Sequence, residues 1–311
     1  MSDTATMAAT VAVTEHDVEA ARIERRRRFR SNTLPALVTV GPVTLWLLAF
    51  IAVPLLYILI MGFCSTDQYY NVVYSLTLDN FQAMLDPEYL KIYGQSILIA
   101  AISTAICLVL AYPFSYLISR TFKSKKTLLY MMIIIPFWTN SLVRIYGWRT
   151  FLSATGQLNT FLMAIGATSE PIQFLYNQAC TVFGMAYDMF PFMVLPLYAA
   201  IEKLDESQIE ASFDLGANML TTIFKVVIPQ TMSGIFSGCI MVFIPSLGAF
   251  YISDILGGGN ADVIGNLIQR QFQSANDWPL GAALSILLIA ITLLLVKIYQ
   301  KAGGDMESLG V

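Results

Sequence analysis

Six apolar stretches, at about 40–63, 95–119, 127–147, 179–200, 229–252 and 279–300, alternate with shorter polar segments along the chain. Each is close to the ~20 residues that an α-helix needs to cross a hydrocarbon layer about 30 Å thick. The pattern predicts six membrane-spanning helices packed into one all-α domain, with no internal repeat and no second, soluble domain. Pro136 interrupts the third stretch, Pro191 and Pro196 the fourth, and Pro245 the fifth. Such breaks are tolerated in a membrane where neighbouring helices or a water-lined cavity satisfy the freed backbone groups.

The connecting segments carry their own patterns. Residues 64–92 are polar and aromatic, with a short helix expected from Asp79 to Leu85, and RTFKSKK (120–126) is a tight turn that makes spans two and three an antiparallel pair. Leu158, Phe161, Leu162 and Ile165 repeat at i, i+3, i+4, i+7, the stripe of an amphipathic helix lying along an interface. The polar connection 201–228 gathers Glu202, Asp205, Glu206, Glu210 and Asp214 in its first half. Asp205 or Ser207 suits the start of a helix, where a side-chain oxygen caps free N–H groups and carboxylates meet the positive end of the dipole. Ile209, Phe213 and Leu215 supply its apolar stripe, and Gly216 ends it by reaching the left-handed conformation. A second helix is expected over Met219–Val227, with Pro229 opening span five, where its missing N–H costs little. The product is a helix–turn–helix with its elbow at Gly216.

Composition agrees with a bilayer as solvent: 56% of the 311 residues are hydrophobic and 13% charged, about half the charge of a soluble domain. If the N-terminus is cytoplasmic, fourteen Lys and Arg fall on the inner side and four (Lys91, Arg144, Arg149, Arg270) on the outer. That asymmetry obeys the positive-inside rule and places both termini in the cytoplasm. The run RIERRRRFR (22–30) reads as a topology anchor touching anionic lipid rather than a nucleic-acid patch, because it lies some ten residues before the first span. The expected organisation is a disordered basic tail over 1–33, a transmembrane domain over 34–303 containing the loop 202–228, and a cytoplasmic tail over 304–311. Span one has no signal-peptide cleavage site and is expected to be retained.

Little here suggests catalysis. Cys64, Cys107, Cys180 and Cys239 are scattered singly, without the spacing of a zinc site or disulfide framework, and His16 is the only histidine. Gly257–Gly258–Gly259 is not followed by the Lys-Ser or Lys-Thr of a phosphate-binding loop. No catalytic residue, metal site or cofactor is expected in this chain, which does not hydrolyse ATP itself.

The polar connection carries a resemblance. Glu210-Ala211-Ser212, three residues, Gly216, nine residues and then Val226-Val227-Ile228-Pro229 resembles the EAA loop of binding-protein-dependent ABC importer permeases. Ser212 stands for the second Ala, Val226 for Ile and Ile228 for Leu; the spacing is unchanged. The resemblance implies the type I, MetI-like permease fold. It also implies that Glu210, Ala211, Ser212, Asp214, Leu215, Gly216 and Pro229 form a coupling knob for a separate ATPase. PFWTNSLVRIYGWRTFL (136–152), DMFPFMVLPLYAAIEKLD (188–205), LGAFYISDILGG (247–258) and QFQSANDWPLGAALS (271–285) resemble permeases of the PotB/PotH type from spermidine/putrescine importers. Implied with them are two ATPase copies carrying ATP and Mg, a second and non-identical permease, a periplasmic binding protein, a polyamine substrate and an inner-membrane location.

A pore for a polycation needs carboxylates and aromatic faces, the latter worth roughly 0.5–2 kcal/mol per cation contact. Asp188, in span four beside Tyr187, is a pathway carboxylate, a buried partner for Arg144 or Lys91, or a residue near the outer boundary. Phe250, Tyr251 and Asp254 form an aromatic–acid cluster at the outer end of span five, suited to a gate or to interface anchoring. Trp138 and Asn140 follow the Pro136 break and either line a cavity or sit at the interface. Asp262, Arg270 and Asp277 are loop charges that would face a docked binding protein, if they face a partner. Two other functions fit the composition: an ABC permease for a different small solute, and an ion-coupled carrier relaying protons through Asp188. The coupling loop argues against the carrier.

Overall fold

The computed structural model describes residues 34–121 and 123–301. The expected tails at 1–33 and 304–311, with the arginine-rich run, lie outside the described residues. The chain divides into two compact units, up to Ile60 and from Met61 onward. In the first, α1 (Leu34–Leu47) leads through a π-turn (Leu48–Ala52) into α2 (Val53–Gly62), whose last two residues belong to the second unit. Pro54 has no N–H to offer the carbonyl of Phe50 and its ring crowds that group, so the preceding turn widens.

The second unit begins with a feature absent from the all-α expectation, a two-residue antiparallel pair of β1 (Ser65–Thr66) and β2 (Val72–Val73). The turn between them has Tyr70 in the left-handed region, at φ 62°. α3 (Asp79–Ala83) is the short helix expected there. α4 (Pro87–Arg120) is 34 residues long and starts eight residues before the predicted span. Pro87 sits at its first position and the Asp86 carboxylate accepts the Glu88 N–H at 3.0 Å, so polar residues extend an apolar helix outward.

The third predicted span, 127–147, is not one helix. α5 (Lys123–Phe137) stops just after Pro136, and α6 (Ser141–Leu152) restarts after a break at Trp138–Asn140. Asn140 caps the new helix, its side-chain oxygen accepting the Leu142 N–H at 2.8 Å. α7 (Gln157–Ala164) forms as predicted, but it turns Asn159 inward and leaves Phe161 and Ile165 each 60% exposed. The Asn159 amide ties the Ser153 and Ile172 carbonyls and the Ile172 N–H together, which fixes the inward face.

α8 (Gln178–Glu202) keeps its course through Pro191 and Pro196. α9 (Glu206–Asp214), α10 (Met219–Thr222), a π-turn (Ile223–Val227) and α11 (Ile228–Gln230) form the acidic connection. α12 (Met232–Gly248) follows after a 72° bend, so Pro229 closes the connection instead of opening the fifth span. The bend falls at Thr231, whose hydroxyl bonds the Val227 carbonyl at 2.9 Å and the Tyr112 hydroxyl at 2.9 Å. After Ala249 come α13 (Phe250–Ile252), a π-turn (Ser253–Gly257), α14 (Ile264–Arg270), a π-turn (Gln271–Ala275) and α15 (Trp278–Lys301). Four helices among the described residues are long and apolar enough to cross a membrane, or five if the bent pair counts as one span.

The centre of this unit is the packing of α4, α8 and α12. Small residues make it possible. Ser96, Ala100, Ser103, Cys107, Ala111 and Ser115 form a buried stripe along α4. Ser103, Cys107 and Ser115 donate to the carbonyls of Val182, Ala186 and Val194 on α8, at 3.5, 3.2 and 3.4 Å. With little hydrophobic drive between helices in lipid, close backbone approach and such bonds supply the attraction. On α12 a Cβ at Gly234 would lie 2.5 Å from the Ala200 Cβ and 2.8 Å from the Pro196 carbonyl oxygen, so only glycine allows that contact with α8.

Candidate functional site

Two groups of the expected residues are organised by the fold, at different places in the second unit. The first is the elbow. Asp205 caps α9, its carboxylate accepting the Ser207 N–H at 3.0 Å, and that bond holds its carboxyl below the ordinary value. Gly216 has φ +83°, the Ala217 N–H reaches back to the Ser212 carbonyl at 3.1 Å, and the Gly216 N–H to the Phe213 carbonyl at 2.8 Å. This is the paired-bond stop of a helix at a left-handed residue. Asn218 then caps α10 by accepting the Thr221 N–H at 2.8 Å. Glu210, Ala211, Asp214, Leu215, Gly216 and Pro229 are all exposed, Leu215 to 88%.

Ser212 behaves differently. It is buried, and its hydroxyl meets that of buried Thr222 at 2.9 Å, pinning α9 to the helix after the turn. The predicted stripe also divides: Ile209 is buried, while Phe213 and Leu215 face outward with Met219, Leu220 and Phe224. The Arg120–Glu206 ion pair, at 2.8 Å, joins the start of α9 to the end of α4.

The second group surrounds Asp188, which is 4% exposed in the middle of α8. Its Oδ1 accepts from the Arg144 guanidinium at 2.5 Å and from Ser141 Oγ at 2.7 Å, and its Oδ2 from the Tyr251 hydroxyl at 2.7 Å. Arg144 also donates to the Pro136 carbonyl at 3.1 Å and lies 4.1 Å from the Phe137 ring centroid and 6.0 Å from that of Tyr187. The break at Trp138–Asn140 makes this possible, because Ser141 and Arg144 share one face of α6 three residues apart. Of the two partners considered for Asp188, the fold selects Arg144. Removing one partner from such a pair leaves a buried charge, which costs about 3–5 kcal/mol.

The aromatic–acid cluster predicted at 250–254 is split. Tyr251 turns inward to Asp188, whereas Asp254 is exposed and accepts from the buried Asn266 side chain at 2.6 Å. Partial burial, with Asp262 nearby, raises the Asp254 carboxyl above its ordinary value in spite of that bond. Trp138 is 84% exposed and Asn140 is engaged as a cap. Asp262 pairs with Arg270, and Asp277 accepts from Thr66 at 2.7 Å and from the Leu280 N–H at 3.3 Å, so these loop charges hold the loops together. The roles of Ser141, Phe137 and Thr222 are not legible in the sequence, since nothing in their spacing announces contacts across 47, 7 and 10 residues.

A cavity of about 700 Å³ between α4 and α8 is walled by Ile99, Ile106, Leu110, Val182, Phe183 and Phe190. Its lining is apolar and offers no counter-ion for a cation. Among the described residues no group of three His, Cys, Asp or Glu side chains stands close enough to hold a metal ion.

The chain is 43% identical over 257 residues to the spermidine/putrescine transport system permease protein PotB of Escherichia coli K12, covering 83% of this chain and 94% of that one. It is 39% identical over 265 residues to the PotB protein of Haemophilus influenzae, with 85% and 93% covered. Its fold is similar to a chain of a bacterial alginate ABC transporter, solved with an alginate pentasaccharide-bound periplasmic protein, at TM-score 0.71 and 17% identity, with 88% and 94% covered. At that identity the likeness concerns fold alone. Residues 31–302 match the model of the binding-protein-dependent transport system inner membrane component. With the match covering most of the chain, and relatives this similar along nearly their whole length, the chain belongs to the binding-protein-dependent transport system inner membrane components.

Proposed function

We propose that this chain is the permease subunit of an ATP-driven, binding-protein-dependent importer of polyamines, and forms half of the translocation pathway. The observation that carries the reading is the 43% identity to a spermidine/putrescine permease along 94% of that protein's length. The Asp188 site supports it, since carboxylate, hydroxyls and aromatic faces are the groups an organic ammonium requires. In this reading the chain is a multi-pass protein of a bacterial cytoplasmic membrane with both termini inside. It crosses six times, the sixth passage being α5 and α6 taken together as one broken span.

The subunit has no catalytic residue or cofactor of its own. Two copies of an ABC ATPase, holding ATP and Mg, dock on the exposed surface of Glu210, Ala211, Asp214, Leu215 and Gly216. Ser212 and Pro229 set the shape of that knob. A homologous, non-identical permease completes the pathway, and a periplasmic binding protein delivers substrate. Phe250, Tyr251, Asp254, Asp188, Trp138 and Asn140 belong to the pathway or its gate. Movement reaches the spans through the Thr231 bend, where Tyr112 of α4 bonds the joint.

The test is ATPase activity of the reconstituted complex with its binding protein. Stimulation by spermidine or putrescine is expected, and the absence of stimulation by either removes the polyamine assignment. Uptake driven by a proton gradient, without ATPase or binding protein, would favour a secondary carrier instead.

A further inference from the structure

The Asp188 site has the composition of a receptor for an organic cation, and a cation of the chain itself already fills it. Arg144 has a side chain only 9% exposed, in contact with the Asp188 carboxylate, the Pro136 carbonyl and the Phe137 ring. Its fit is incomplete. Nε is buried and has no hydrogen-bond partner, although a planar guanidinium is normally chosen for sites that use its full fork. The arginine rides on α6, which is joined to α5 only through the non-helical Trp138–Asn140 break. The other walls of the site, Tyr187 and Asp188, stand on α8 in the packed centre of the unit. The cation and its carboxylate are therefore on different elements, α6 and α8.

We infer that Arg144 is a tethered stand-in for the substrate's ammonium group. With the pathway empty it neutralises Asp188, so that no uncompensated carboxylate is buried. During transport a substrate ammonium takes its place against Asp188, Tyr251 and the aromatic faces, and Arg144 withdraws with α6. The exchange is between two cations at one carboxylate, so the charge of the site does not change and the desolvation of Asp188 is met before substrate arrives. A further consequence is selectivity. A small hydrated inorganic cation gains little from the aromatic faces, whereas an alkylammonium, with a weaker hydration shell and apolar flanks, gains from both carboxylate and rings.

This inference rests on the polyamine reading, and the experiment keeps the two apart. Spermidine binding to the permease–ATPase complex is measured by calorimetry and by thermal shift without the binding protein, with choline and sodium chloride as controls. Arg144→Met leaves Asp188 uncompensated and is expected to bind spermidine at least tenfold more tightly than the unaltered complex. Arg144→Met combined with Asp188→Asn restores neutrality and is expected to lose that gain. Should Arg144→Met fail to assemble, Arg144→Lys serves: its single ammonium forgoes the second guanidinium bond and is expected to raise spermidine affinity several-fold. Unchanged affinity in the variants that assemble overturns the inference. Stimulation of the unaltered complex by polyamine-loaded binding protein reports separately on the polyamine reading, which can stand while the role of Arg144 falls.

Discussion

At the scale of single residues, the acidic side chains sort by what surrounds them and not by where they lie in the sequence. Asp188 stands within an apolar stretch and Asp254 just past the end of one, both beside aromatics, yet one is buried with three donors on its carboxylate and the other is exposed with one. Asp254 lies beyond the end of α12, and partial burial holds its carboxyl above the ordinary value. A carboxyl so raised loses its charge at a higher pH than usual as the medium is acidified. If the carboxylate attracts an incoming cation, polyamine uptake should fall as the outer pH is lowered, and Asp254→Asn should lower uptake several-fold and flatten that pH profile. Radiolabelled uptake into proteoliposomes across a pH series checks it; unchanged uptake returns Asp254 to a loop contact with Asn266.

At the scale of elements, the elbow is where local sequence and tertiary contact meet. Gly216 at φ +83° is set by the chain locally, since any L-residue with a branched side chain pays about 1–2 kcal/mol there. Gly216→Val should abolish stimulation of the partner ATPase while leaving the helices inserted in the membrane; retained stimulation would remove the coupling role. The Ser212–Thr222 hydroxyl pair is a different device, because it also accounts for a departure from the family pattern, a serine in place of the second alanine. Ser212→Ala and Thr222→Val should each cost about 0.5–1.5 kcal/mol of stability. As they remove the same contact, the double variant should cost clearly less than the sum. Unfolding of the four species in detergent closes the cycle, and strict additivity would mean that the 2.9 Å contact carries no energy.

The whole molecule depends on orientation, which the charge distribution alone argues. With fourteen basic residues assigned inside and four outside, a single cysteine at Gln208 in the elbow should react with a membrane-impermeant maleimide only from the cytoplasmic side. One at Asn260, in the loop after Gly259, should react only from the other side. Cys64, Cys107 and Cys180 are buried, and replacing the partly exposed Cys239 by serine leaves a low background. Labelling of both positions from one side would show that the fifth stretch does not cross, and labelling with the two sides exchanged would overturn the reading of α5 and α6 as a broken span.

Legibility followed the range of the forces involved. The apolar stretches, a cap at Asp205 or Ser207, the stop at Gly216 and the short helix at Asp79 depend on neighbours within a turn or two, and the sequence alone determined them. Membrane class and family membership were legible for the same reason, since composition and motif spacing are properties of the chain itself. Only the tertiary structure decided that the third apolar stretch is two helices, that the fifth begins after a bend at Thr231, and that Ser212 turns inward. It also decided that Asp188 belongs with Ser141, Arg144 and Tyr251. Those contacts join residues 44 to 63 positions apart, and they are selected by burial: a carboxylate without water must take whichever donors the packing of α6, α8 and α13 brings to it.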